Sequence, residues 1–367
     1  MEKSTLMSPI TRHLLNWYRA NKRDLPWRGI TDPYLIWVSE IILQQTRVAQ
    51  GWDYYTRFTR RFPDVHSLAA ASEEEVLKIW QGLGYYSRAR NMHAAALDIT
   101  NRFKGKFPTR YHEILSLKGV GEYTAAAISS IAFNKPYAAV DGNVLRVFAR
   151  LFAIEESIHA VKGKRVITEI VQSLLPPEDP ASFNQAVMDF GALVCTPLQP
   201  ECIDCPLQGS CMAYARNEVA NFPVTRKKTK ARKQYFNYFY IVDNGFTYIT
   251  RREEQDIWKN LYEFPLVETP LPIDINQLAG NKGFRELFVD TPQMTIEPPS
   301  SLKHVLSHQI IHACFYRVKP LEEHPFNAPE HFIRVPHDQL EHYPVSRLIG
   351  KYLELVDDSH GELQKYA

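Results

Sequence analysis

A chain of 367 residues with 45% hydrophobic and 23% charged content can bury one large core or two moderate ones, which excludes a disordered protein. No stretch approaches twenty uninterrupted apolar residues, and residues 1–17 carry charges and Pro9 where a secretory signal needs an apolar block, so a cytoplasmic protein is expected and a membrane-spanning one is not. The formal net charge of +2 hides an asymmetry: residues 1–233 hold 31 Lys and Arg against 22 Asp and Glu, and the remainder 12 against 19, so a polyanion suits the first part.

Up to about residue 215 apolar side chains recur at three-and-four spacing, as in Leu14, Leu15, Trp17 and Tyr18 or Val76, Leu77, Ile79 and Trp80, which predicts an almost wholly helical region. Residues 38–46 place Glu40 inside a strongly apolar helix, where partial burial would raise its pKa and keep it protonated. The plainer alternative is a solvated glutamate squeezed between core positions. Residues 115–125 end one helix and start another through Lys118-Gly119-Val120-Gly121-Glu122-Tyr123. Gly119 and Gly121 are free to take backbone angles denied to other residues, and amides at the new helix start can hold a phosphate. Asp141 precedes a further helix as an N-cap, whose accepted N–H bonds favour the ionised form.

Four of the five cysteines then fall within seventeen residues, as Cys195-x6-Cys202-x2-Cys205-x5-Cys211. Four thiolates this close can converge on one metal centre, disulfides are disfavoured in a cytosolic chain, and zinc sites usually show two short pairs where this run has one. Between residues 226 and 233 six of eight residues are basic, marking a linker. Beyond it the period changes: residues 235–242 and 246–250 are strand-like around Asp243-Asn244-Gly245, a strong hairpin-turn signal. Residues 310–318 predict another strand, with Cys314 alone in it, and residues 345–355 a closing helix. The second part is therefore expected to be α+β with an antiparallel sheet.

The cysteine run resembles the iron–sulfur loop of the endonuclease III and MutY glycosylase superfamily, and residues 113–127 resemble its helix–hairpin–helix. The segments around Glu40 and Asp141, together with the second domain, resemble the MutY-type adenine DNA glycosylases. That resemblance implies a helical glycosylase domain over 1–225, a basic linker over 226–233 and a MutT-like (Nudix-fold) domain over 234–367 that reads the lesion. It implies a 4Fe-4S cluster on Cys195, Cys202, Cys205 and Cys211 that is not the hydrolytic centre. Glu40 would protonate adenine and Asp141 stabilise the sugar cation, with Tyr123 and Asn143 beside it. Arg28 and Gln185 match adenine-pocket positions, although some relatives carry glutamate at the latter. Gln45 and Tyr85 match positions that wedge the stack, Gly119 and Gly121 hold phosphate, and Leu306, Ser307 and His308 match the loop touching 8-oxoguanine. Strand-cutting relatives carry a lysine two places after the second glycine, where this chain has Tyr123, so base removal alone is expected.

The expected partner is double-stranded DNA with adenine opposite 8-oxoguanine or guanine, met by a monomer. Two rivals remain: a thymine or uracil mismatch glycosylase on the same scaffold, and a non-catalytic iron–sulfur protein that binds damaged DNA and would need neither Glu40 nor Asp141.

Overall fold

The structure, a computed structural model, describes residues 7–225, 231–253, 256–291, 293–306, 308–321 and 325–363. The chain divides into two compact units, Met1–Ala70 with Asn91–Lys227 and Ala71–Arg90 with Lys228–Ala367.

The first unit is helical, and its helices start for legible reasons. Pro9–Asn21, Pro33–Ile42 and Pro180–Leu193 each begin with proline after a capping side chain, Ser8, Asp32 and Asp179, which accepts first-turn N–H groups. A core of Leu14, Leu15, Val147, Phe148, Phe183, Val187 and Phe190 gathers the apolar faces. The helix Pro33–Ile42, buried through Trp37, Val38, Ile41 and Ile42, packs against Glu122–Phe133. The helix Gly142–Leu151 packs against Pro180–Leu193 so closely that a Cβ on Gly191 would stand 2.7 Å from the Asn143 Cβ.

The second unit contains β1 (Arg232–Ile241), β2 (Phe246–Arg251), β3 (Tyr262–Glu263), β4 (Leu266–Thr269), β5 (Met294–Ile296), β6 (Ser300–Val305), β7 (Gln309–Pro320) and β8 (Ile333–Pro336). One sheet runs β4-β1-β7-β5 with β6 also on β7, and a second runs β3-β2-β8. β1 pairs with β7 in parallel over its whole length, so the sheet is mixed and not antiparallel as the sequence suggests. The Asp243-Asn244-Gly245 turn forms, with φ of 49° at Asn244 and 81° at Gly245 and an isolated bridge from Asp243 to Phe246. The hairpin goes no further, because β4 and β7 already occupy both edges of β1 and β2 pairs instead with β3 and β8.

One face of the first sheet buries Phe239, Ile241, Tyr316 and Val318 under the short helices Ile275–Ala279 and Lys282–Leu287, which contribute Leu278, Phe284 and Leu287. The closing helix Arg347–Leu363 buries Leu348, Ile349 and Tyr352, the last stacked on Phe315 at 4.2 Å. Residues 71–90 are tied into this unit by Asn260 donating to Glu73, Tyr262 to Glu74, Lys78 to the Tyr343 carbonyl and the Tyr86 hydroxyl to the Val345 carbonyl. Among the described residues no helix is long and apolar enough to cross a membrane.

Candidate active site

Arg28, Glu40, Gln45, Tyr123, Asp141, Asn143 and Gln185 line one cleft of about 660 Å³ in the first unit. That volume lies within the roughly 300–1,000 Å³ usual for ligand pockets.

Glu40 sits two residues before the end of the helix Pro33–Ile42, among side chains whose burial follows from the apolar run around it. The Tyr123 hydroxyl, in the first turn of Glu122–Phe133, donates to its Oε2 at 2.5 Å. Burial pushes the Glu40 carboxyl up, opposed by this hydrogen bond and by Arg28 and reinforced by the negative charge of Asp141. Glu40 is only half-buried by exposed area, yet loss of solvation dominates because the helix and Tyr123 surround its carboxyl. Tyr123 is in turn driven well above the usual phenol range, first by burial and then by Glu40.

Asp141 caps the helix Gly142–Leu151, its Oδ1 accepting the Val144 N–H at 2.8 Å and its Oδ2 the Asn143 side-chain amide at 2.8 Å. The cap forms as the sequence indicates, but the charge preference differs. Burial outweighs the accepted bonds and the nearby Arg146, and the carboxyl sits above its ordinary value.

The same helix reaches the cysteine loop. Arg146 donates through Nη2 to the Asn143 Oδ1 at 2.8 Å and the Gly191 carbonyl at 2.7 Å, and through Nε to the Cys195 carbonyl at 2.9 Å. Arg150 donates to the carbonyls of Phe222, Thr196 and Pro197 and lies 3.4 Å from the Cys195 Sγ. Cys195, Cys202, Cys205 and Cys211 line a single apolar cavity together with Val147, Phe190 and Leu207. Burial pushes the Cys205 thiol up to about 11 and raises Cys202 and Cys211, with neighbouring thiols adding to the effect. Such thiols become thiolates only when a cation offsets their desolvation. Among the described residues no three His, Cys, Asp or Glu side chains are grouped as around one metal ion.

At the helix–hairpin–helix only one of the two glycines needs its conformational freedom. Gly119 has φ of +80°, and a Cβ there would stand 2.6 Å from the Asn91 Cβ. Gly121 is an extended N-cap with open space where its Cβ would be. Gln45, in the turn after Pro33–Ile42, has φ of 56°, and Tyr85, in the second unit, has φ of 48° and is 44% exposed. Both hold a left-handed backbone that costs energy in a residue with a Cβ, as is common where a side chain must be aimed. In the second unit the Leu306 N–H donates to the Gln309 carbonyl to close the β6–β7 turn, on which His308 is exposed. Ser307 lies outside the described residues.

Several residues of this region escaped the sequence reading. Asp189, fully buried, accepts from Arg23 and Arg28, and the Tyr18 hydroxyl donates to the Gln185 Oε1 at 2.6 Å. The available signal for Asp189 was the one that drew attention to Glu40, a lone acid inside an apolar helix, here Val187-Met188-Asp189-Phe190. Arg146 and Arg150 carried a weaker one, two arginines one turn apart in a helix whose other buried residues, Val144, Val147, Phe148, Ala149 and Leu151, are apolar.

The family described as "HhH-GPD superfamily base excision DNA repair protein" matches residues 38–177, and the NUDIX domain family matches residues 237–355. An adenine DNA glycosylase of Buchnera aphidicola subsp. Schizaphis graminum is 35% identical over 302 residues, covering 82% of this chain and 84% of the relative. The Mus musculus adenine DNA glycosylase is 46% identical over 214 residues, covering 56% of this chain and 41% of the relative. Among solved structures, a thermostable thymine-DNA glycosylase is 30% identical with a TM-score of 0.53, covering 56% of this chain and 95% of that one.

Proposed function

This chain belongs to the adenine DNA glycosylase family, and from that membership we propose that it removes adenine from duplex DNA, preferring adenine opposite 8-oxoguanine and accepting adenine opposite guanine. It is a hydrolytic N-glycosylase of base excision repair by its family. The observation that carries the finer reading is the pair of carboxyls in one cleft, Glu40 bonded to a buried tyrosine and Asp141 fixed as a helix cap.

Cleaving a purine from deoxyribose builds positive charge on the sugar and negative charge on the departing base, so an acid is needed at the base and an anion at the sugar. Glu40, with its pKa raised by burial, supplies a proton to a ring nitrogen of the flipped adenine. Asp141, held by Val144 and Asn143, faces the sugar cation, and Arg28 offers positive charge to the leaving base. Tyr123 in place of a lysine leaves no amine at that position for a Schiff base, which favours base removal without strand cleavage. Open space at Gly121, at the start of a helix, suits a DNA phosphate.

The four thiols of Cys195, Cys202, Cys205 and Cys211 fit a 4Fe-4S cluster, since they line one apolar cavity and offer it four sulfur donors. Bound there, the cluster would supply a rigid scaffold for the loop and no open position for water. Leu306 and His308, which flank the β6–β7 turn, are the proposed readers of the oxidised guanine, together with Ser307 of the same sequence motif. The protein is proposed to act as a monomer in the cytoplasm.

The test is a single-turnover assay on end-labelled duplexes bearing adenine opposite 8-oxoguanine, guanine or thymine, and thymine opposite guanine, each sampled with and without hot alkali. Alkali-dependent cleavage at adenine, fastest opposite 8-oxoguanine and absent from A·T pairs, is the expected result. Release of thymine from the G·T duplex would favour the thymine glycosylase reading, to which the 30% identical structure lends weight. Binding without release of any base would favour a damage-binding protein.

A further inference from the structure

We propose that Asp189 is a positioning residue for base excision, fixing Arg28 so that its charge meets the base in the cleft. The inference rests on the adenine-excision reading.

Asp189 is completely buried in the helix Pro180–Leu193. Its Oδ1 accepts from the Arg23 Nε at 3.0 Å, the Arg23 Nη2 at 2.6 Å and the Arg28 Nη2 at 2.7 Å, and its Oδ2 accepts from the Arg23 backbone N–H at 3.2 Å. Four donors on one buried carboxylate leave it no freedom to move, and Arg28 is held with it. The Arg28 Nε is buried and has no partner among the described residues, on a side chain that lines the cleft with Glu40 and Gln185. A buried donor on a cation is expensive to leave unmade, so Arg28 is held at this place by Asp189 at a cost that a freely moving side chain would not bear.

The charge balance leads to the same place. Two guanidiniums share one carboxylate, leaving one net positive charge beside the cleft, as suits a leaving base that becomes negative. Arg28 also favours ionisation of Glu40, so Asp189, by offsetting the cations, helps Glu40 keep its proton.

The experiment compares wild type, Asp189→Asn, Arg28→Gln and the double variant by single-turnover excision on an adenine mispair across pH, with thermal melts as a folding control. Each single variant is expected to lose about 100-fold in rate, the scale of a misplaced reacting group. The double variant should lose no more than the worse single one, because Asp189 acts through Arg28. In Asp189→Asn the uncompensated cations should also move the alkaline limb of the pH profile to lower pH. The titratable and charged groups facing Glu40, whose proton sets that limb, are Tyr123, Arg28 and Asp141. Additive losses, or an unmoved limb, would overturn the proposal.

Should Asp189→Asn not fold, Asp189→Glu keeps the charge and displaces it by one methylene. A lower rate with the limb in place then supports positioning, and an unchanged rate overturns it. If wild type releases no adenine from any mispair, the functional reading falls and this inference with it.

Discussion

Glu40 sets its proposed chemistry against stability. A carboxyl whose pKa is raised by folding contributes its full stability below the unfolded value, near 4.5 for glutamate, and loses it as pH rises through the folded value. Between the two values the folded protein holds a proton that the unfolded chain has released, and above the folded value it bears the cost of a desolvated charge. Glu40→Gln removes the cost, so its melting temperature should exceed that of wild type at pH 8, with the gap closing towards pH 4. The same variant should lose roughly 100- to 10,000-fold in excision rate for want of a general acid. A variant that is both slower and less stable at pH 8 would contradict the burial argument. Tyr123→Phe acts on the same proton from outside. Its hydroxyl favours the charged form of Glu40, so removing it should raise the Glu40 pKa further and carry the alkaline limb of the excision profile to higher pH. A limb that moves down would mean that Tyr123 mainly shields Glu40 from its surroundings.

At the scale of elements, the helix Gly142–Leu151 connects chemistry and scaffold, with Asp141 at its start and Arg146 and Arg150 against the cysteine loop. Its first turn is set by the helix Pro180–Leu193, where Gly191 admits the Asn143 backbone. A Cβ at 191 would lie 2.7 Å from the Asn143 Cβ and 3.2 Å from its Cα, and a helix backbone cannot yield as a flexible side-chain tip would. Gly191→Ala should therefore cost about 1–3 kcal/mol in a urea melt and lower excision by pulling Asn143 away from Asp141. Wild-type stability in that variant would show that the two helices separate freely. Much of this was legible in the sequence because it is local. Proline after a capping residue announces a helix start, Asn244-Gly245 announces a turn, and the cysteine spacing announces a common cavity. What was not legible depends on distant partners. The turn at Asp243 says nothing of β4 and β7 claiming both edges of β1, and Asp189 has meaning only beside Arg23 and Arg28, more than 160 positions away in the chain.

For the whole molecule, the two proposed tasks fall in different units. Glu40, Tyr123, Asp141, Arg28, Gln185 and the cysteines all belong to the first unit, whereas the β6–β7 turn belongs to the second, in keeping with a basic first part and an acidic remainder. A chain ending at Thr225 retains every group assigned to chemistry but leaves residues 71–90 without the partners that now hold them, among them the carbonyls of Tyr343 and Val345. Such a chain should melt below the full-length protein and still remove adenine. If the β6–β7 turn reads the oxidised base, the ratio of excision rates opposite 8-oxoguanine and guanine should also fall towards one. Single-turnover rates on the two duplexes, measured for both chains, give that ratio directly. An undiminished ratio in the truncated chain would place lesion reading in the first unit, where Gln45, with its left-handed backbone at the cleft, would be the first side chain to replace.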